Sequence, residues 1–245
     1  MLAIIGGSGL TKLAILEVTR RWVARTPYGE PSGPLTFGRI CGSEVVFLAR
    51  HGYGHTIAPH DVNYRANLWA LKDVGADAVV SVASVGGIRK DIVPGSLVLP
   101  DQIIDYTWGR RSTFFDGPGA AVNHIDFTEP YSGALRRKIL KAAADCREKV
   151  IDAAVYAATQ GPRLETAAEI NRLERDGADI VGMTGMPEAA LAREINLEYA
   201  AIAVAANYAA GRGDSARVIA LARIEAVLEE AMGRVRRIIE KFCSA

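Results

Sequence analysis

With 245 residues of which 49% are hydrophobic, the chain can fill one large core, and α/β folds of this length commonly stay undivided, so residues 1–245 are expected to form a single domain. Its 29 Lys and Arg nearly balance 28 Asp and Glu, which removes the broad basic footprint of a nucleic-acid or membrane-surface binder and makes any anion site a local one. Three widely spaced cysteines, Cys41, Cys146 and Cys243, show no CxxC pattern, so neither a disulfide framework nor a zinc site is expected, and reduced thiols in a cytoplasmic protein are.

Residues 1–5 are apolar, lack a preceding basic segment and run at once into Gly6-Gly7, which makes them a first strand and not a signal peptide. Short apolar or β-branched runs at 2–5, 44–49, 78–82, 96–99, 150–156, 180–182 and 199–205 predict further strands, several of them buried on both faces. Helical spacing marks 63–74, 132–144, 166–177 and 188–196. In the last helix, Val218, Leu221, Ile224, Val227, Leu228, Val235, Ile238 and Ile239 make one apolar stripe opposite Arg and Glu. Strands alternating with helices predict an α/β fold with a mixed, largely parallel central sheet flanked by helices. The stretch 108–122, rich in Gly, Pro and aromatics, breaks the rhythm and reads as a long functional loop. No apolar run is long enough to span a membrane.

Four of the predicted strands end in polar or small residues. Gly6-Gly7-Ser8-Gly9 follows the first, where backbone N–H groups and a hydroxyl can converge on an anion, although turn glycines without a ligand explain so short a motif equally well. The dinucleotide fingerprint fails, because a G-x-G-x-x-G template started at Gly7 places Lys12 at the third glycine. Arg50 and His51 end the strand at 44–49, and an Arg fork suits phosphate. His51, His55 and His60 share a Gly- and Pro-broken loop without ligand spacing, so no metal site is expected. Ser84, before Gly86-Gly87, and Met183-Thr184 close two more strands, and one convergent polyanion site accounts for all four ends together. Glu165 follows Gly161-Pro162-Arg163-Leu164, and Asn207 lies some forty residues on. An anionic Glu only accepts hydrogen bonds, while an Asn amide both accepts and donates, so the two complement the N1–H, O6 and N7 edge of a 6-oxopurine.

Together these residues resemble the trimeric purine nucleoside phosphorylase family, in particular its 5′-methylthionucleoside branch. The likeness runs from Ile4-Ile5-Gly6-Gly7-Ser8-Gly9-Leu10 through Leu48-Ala49-Arg50-His51-Gly52, Val62-Asn63-Tyr64-Arg65-Ala66-Asn67 and Gly161-Pro162-Arg163 to Met183-Thr184 and Asn207-Tyr208, nearly the whole chain. The resemblance implies that Ser8, Arg50, His51, Ser84 and Thr184 bind phosphate, that Met183 lies under a ribose, and that Leu164 faces a base read by Glu165 and Asn207. It further implies catalytic assistance from Asn207, inorganic phosphate as co-substrate with no cofactor, and a homotrimer or dimer of trimers in which His124 completes a neighbour's 5′ pocket.

Three departures refine the implied substrate. Members acting on 5′-methylthioadenosine usually carry Asp-x-Asp where this chain has Asn207-Tyr208-Ala209, and Phe-Ser where it has Leu164-Glu165. The His that 6-oxopurine phosphorylases aim at a 5′-hydroxyl falls on Leu221, which suits a methylthio group instead. A further departure, Ala83 where the methylthioadenosine branch tends to have Thr, bears on the phosphate contact, where Ser84 is expected to compensate. The combination points to 5′-methylthioinosine, with a general 6-oxopurine nucleoside phosphorylase, a methylthioadenosine phosphorylase and a binding domain without turnover as the rivals.

Overall fold

The computed structural model describes residues 1–119 and 121–244. Its strands are β1 (Leu2–Gly6), β2 (Glu17–Trp22), β3 (Leu35–Ile40), β4 (Ser43–Ala49), β5 (Ala78–Gly87), β6 (Leu97–Leu99), β7 (Gln102–Asp105), β8 (Val150–Asp152), β9 (Val155–Ala158), β10 (Ile180–Gly182) and β11 (Glu198–Tyr208). The helices are α1 (Tyr64–Asp73), α2 (Gly133–Asp145), α3 (Ala167–Arg175), α4 (Gly185–Glu194) and α5 (Leu221–Cys243).

Ala3 and Ile5 of β1 face one side of the sheet and Ile4 the other, and all three are fully buried. β4 repeats the alternation, with Val46 and Leu48 opposite Val45 and Phe47. Two-residue periodicity without a wet face is what a strand shows when helices cover both sides. Tyr64, Leu68 and Leu71 of α1 join Ala189, Leu191 and Ala192 of α4 in one core layer. Leu135 and Ile139 of α2 join Leu228, Met232, Val235 and Ile239 of α5 in the other. Burying each such Leu or Ile contributes roughly 1.5–3 kcal/mol.

All eleven strands belong to one sheet, in the order β2-β3-β4-β1-β5-β10-β9-β7, with β11 and then β6 and β8 branching from β5. Six of the ten pairings are parallel. β5 is the fork: its first residues, Ala78–Ser81, pair with β1, its last, Gly86 and Gly87, with β10, and β11 runs alongside throughout. Between the end of β1 and the start of β10, Val82–Val85 have no strand on that side among the described residues. Parting of parallel strands at their carboxyl ends is where open α/β sheets place ligands.

The expected α/β architecture is present, with differences of local cause. The run 150–156 splits at Ala153, whose φ of 70° ends one strand, so that β8 pairs with β6 while β9 pairs with β10 and β7. β2 lies almost wholly exposed, which deprives it of the apolar alternation by which a strand is read. In α4, Met186 is extended (φ −118°, ψ 139°), and unbroken helical dihedrals begin at Pro187. The long loop contains no helix or strand among its described residues, yet it is tied down: Arg110 donates to the carbonyls of Thr159, Gln160, Met183 and Met186, and Glu194 accepts from Thr113 Oγ1 and Phe114 N. No helix among the described residues is long and apolar enough to cross a membrane.

Candidate active site

The carboxyl ends of β1, β4, β5, β10 and β11 open onto one cavity of about 460 Å³, within the range of small-molecule sites. Ser8, Arg50, His51, Ser84, Leu164, Glu165, Met183, Thr184 and Asn207 all line it. Leu221 and His124 do not.

At one end the chain is drawn close by Gly7, where a Cβ would come within 2.7 Å of both Arg50 Nη1 and the Val82 carbonyl oxygen. The Arg50 guanidinium is fully buried and occupied. Its Nε donates to Glu188 Oε1 at 2.8 Å, Nη2 to Glu188 Oε2 at 3.0 Å and to Ser81 Oγ at 2.5 Å, and Nη1 to Val82 O at 3.1 Å. Four of five N–H donors are thereby used, and only one, on Nη1, is left for an anion. The bidentate phosphate fork expected from sequence is thus spent on a carboxylate. Glu188, fully buried, also accepts from Ser81 Oγ and Tyr199 OH, each at 2.7 Å. Burial alone would raise the Glu188 carboxyl, but Arg50 beside it holds it below its usual range. Thr184 lines the cavity and precedes α4 without a side-chain capping bond.

His51 Nδ1 lies 2.8 Å from the Ile57 carbonyl, so Nδ1 carries the hydrogen and Nε2 keeps a lone pair. Burial, then the Arg50 charge, pushes this imidazole down to about 4. At neutral pH His51 therefore offers an acceptor, not a donor, at Nε2. The unfolded imidazole takes its proton near 6.5, so between the two values the unfolded chain binds more protons and stability is lost as pH falls through that window, by on the order of 3 kcal/mol. His51→Asn should flatten that dependence. Urea unfolding at pH 4.5 and 7.0 checks it, and equal pH dependence in both proteins would contradict the assignment.

At the other end, Thr159 Oγ1 donates to Glu165 Oε1 at 2.6 Å, orienting the carboxylate and leaving Oε2 open. β11 carries a bulge between Ala205 and Asn207 opposite Gly86, and the extra residue re-aims Asn207 at the cavity. Its Nδ2 donates to the Tyr208 carbonyl at 2.6 Å. A flipped amide would set two carbonyl oxygens against each other at that distance, so the amide is pinned with Oδ1 and one N–H to spare. Met183 and Leu164 also line the cavity, and Leu164 is 41% exposed.

Leu221 needs correction. It is 65% exposed and opens α5 after Ala220, its N-cap, so it stands on the outward side of the first turn. Ile219, before the cap, and Ile224, one turn later, supply the apolar wall instead. Val218, also read as part of the stripe, lies outside the helix and is 72% exposed. His124 is exposed in the loop, away from the cavity of its own chain. No group of three or more His, Cys, Asp or Glu among the described residues is arranged to hold a metal. Sequence reasoning missed Thr159 and the pairing role of Glu188. Thr159 sits two residues before Gly161-Pro162 and could have been suspected, whereas nothing in the spacing links Glu188 to Arg50.

A family model described as the phosphorylase superfamily matches residues 1–244. A protein of Pseudomonas syringae pv. tomato named "Probable S-methyl-5'-thioinosine phosphorylase" is 53% identical over 243 residues, 99% of this chain and 98% of its own length. The 6-oxopurine nucleoside phosphorylase of Pyrococcus furiosus is 45% identical over 215 residues, 86% of this chain and 80% of its own length. Among solved structures, methylthioadenosine phosphorylase from Schistosoma mansoni in complex with adenine superposes with a TM-score of 0.94 at 30% identity, over 99% of this chain and 90% of that one. Family match, near full-length identity and a common fold agree, and the chain belongs to the phosphorylase superfamily.

Proposed function

We propose that this chain is a pentosyltransferase that uses inorganic phosphate to cleave 5′-methylthioinosine to hypoxanthine and 5-methylthioribose 1-phosphate. The observation that carries the reading is one cavity that pairs Glu165 and the pinned amide of Asn207 with an apolar wall of Ile219 and Ile224. The relatives named for methylthioinosine, at 51–54% identity, support it. Phosphate binds among Ser8, Arg50, His51, Ser84 and Thr184, with a P–O–H donating to His51 Nε2. A phosphate oxygen attacks the anomeric carbon as the bond to N9 breaks, and the bonding pair passes into the purine. The purine anion takes a proton at N7 from solvent water, whereupon Asn207 Oδ1 accepts from N7–H while Nδ2 donates to O6 and Glu165 Oε2 accepts from N1–H. Before protonation, N7 and Oδ1 are two facing lone pairs, so this contact favours the transition state over the ground state. No covalent residue and no cofactor is needed. Hypoxanthine release from methylthioinosine should require added phosphate, and binding without any turnover would leave a nucleoside-binding protein instead.

The apolar wall leaves a 5′-hydroxyl without a partner from the α5 segment, at a cost of roughly 1–3 kcal/mol. Ile224→His should therefore raise kcat/KM for inosine relative to methylthioinosine by about tenfold or more. If inosine already rivals methylthioinosine in the unmodified protein, the general 6-oxopurine phosphorylase reading, supported by relatives of that name, replaces this one. Exposed Trp108, Phe115, Val122, Val218 and Leu221 support assembly as a homotrimer or dimer of trimers, with His124 of a neighbouring subunit closing the 5′ end. Free Cys41, Cys146 and Cys243 fit a cytoplasmic enzyme.

A further inference from the structure

Among the described residues Arg50 is the only guanidinium lining the cavity, yet its charge is already balanced by Glu188. Glu188 meets it through both carboxylate oxygens, and neither side chain is more than 1% exposed. Ser81 and Tyr199 hold the carboxylate from two further strands, so the pair cannot swing apart without stranding buried hydroxyls. A site meant only to bind phosphate as tightly as possible would leave the fork free, because bidentate charge-assisted bonds are the strong ones. This one does the opposite, leaving a single N–H, on Nη1, uncommitted. We infer that Glu188 is a positioning residue that detunes the phosphate site, holding Arg50 as a one-point contact with its charge balanced so that bound phosphate stays a competent nucleophile. The inference rests on the reading of this end of the cavity as the phosphate site.

Its logic is that of differential binding. Charge that clamps free phosphate stabilises the ground state, whereas the transition state asks the same oxygens to turn towards a cationic sugar. Removing the carboxylate charge should therefore tighten phosphate and slow the reaction together. A purely structural role would instead weaken phosphate as the site loosened. The test compares inorganic phosphate binding by calorimetry, with kcat and KM for phosphate, in the unmodified protein, Glu188→Gln and Glu148→Gln. Glu148, paired with Arg234 and Arg237 outside the cavity, undergoes the same charge change and controls for net charge and lost ion pairs.

Glu188→Gln is expected to lower the Kd and KM for phosphate about tenfold or more, as a nearby opposing charge in a medium of low dielectric is removed, and to lower kcat. Glu148→Gln should leave phosphate binding within about twofold, since its charge lies outside the site. Should Glu188→Gln not accumulate in folded form, Glu188→Asp, which draws the carboxylate back by one methylene, should show a smaller tightening of the same sign. Phosphate binding unchanged or weakened in the folded variant, or tightened equally by Glu148→Gln, overturns the inference. Failure of the unmodified protein to bind phosphate at all overturns the phosphate-site reading itself, and the inference with it.

Discussion

Arg50→Ala is expected to lower folding stability by about 3–5 kcal/mol, because it strands a fully buried Glu188 carboxylate that loses both of its guanidinium bonds. That loss is large against a typical total of 5–15 kcal/mol, so poor yield of the variant would say nothing by itself about phosphate. A second replacement separates the two effects. Arg50→Met combined with Glu188→Leu removes both charges with similar volume, and buried ion pairs replaced in that way commonly cost little. The double variant still strands the Ser81 and Tyr199 hydroxyls that Glu188 accepts from, so it should recover part of the stability in urea unfolding while remaining without phosphate-dependent turnover. A single Arg50→Ala protein that unfolds at the same urea concentration as the parent would contradict the structural half of the account. A double variant with normal turnover would remove Arg50 from the reaction.

Base choice should respond to two substitutions at the opposite end. In the proposed pose, Asn207→Asp would replace the N–H assigned to O6 with an acceptor, and Glu165→Ser would remove the carboxylate assigned to N1–H, so a 6-oxo base would lose its partners and a 6-amino base its clashes. The paired variant is expected to narrow or reverse the preference for methylthioinosine over methylthioadenosine, read as the ratio of kcat/KM values. The Tyr208 carbonyl matters here, because it blocks the amide flip by which Asn207 could otherwise accommodate adenine. An unchanged ratio would show that neither residue reads the base.

Much of this was legible in the sequence because strand ends announce themselves. A short apolar run followed at once by Gly, Ser, Arg-His or Met-Thr reads equally well as a plain turn when taken alone, but four such strand ends pointed to one site, and Ser8, Arg50, His51, Ser84, Met183 and Thr184 line one cavity. Glu165 and Asn207 were singled out by the complementarity of their hydrogen bonding to one heterocycle edge, and both line the same cavity. What failed did so for local reasons. The apolar stripe of α5 was extended through Leu221 and Val218, since periodicity carries no sign of where a helix begins and Ala220 is not a side-chain capper. The exposed edge strand β2 has no alternation to read. Arg50 and Glu188 lie 138 residues apart, and only the fold at the fork of β5 brings them into contact.

The central claim is that the cavity reads a 6-oxopurine. Steady-state phosphorolysis of methylthioinosine and methylthioadenosine by the unmodified protein, at saturating phosphate, tests it most directly. A site built on hydrogen bonds rejects the analogue that leaves its buried groups unpaired by about 10⁴-fold, and methylthioinosine should lead in kcat/KM by that order. Comparable values for the two substrates would contradict the assignment and place the protein with the methylthioadenosine phosphorylases.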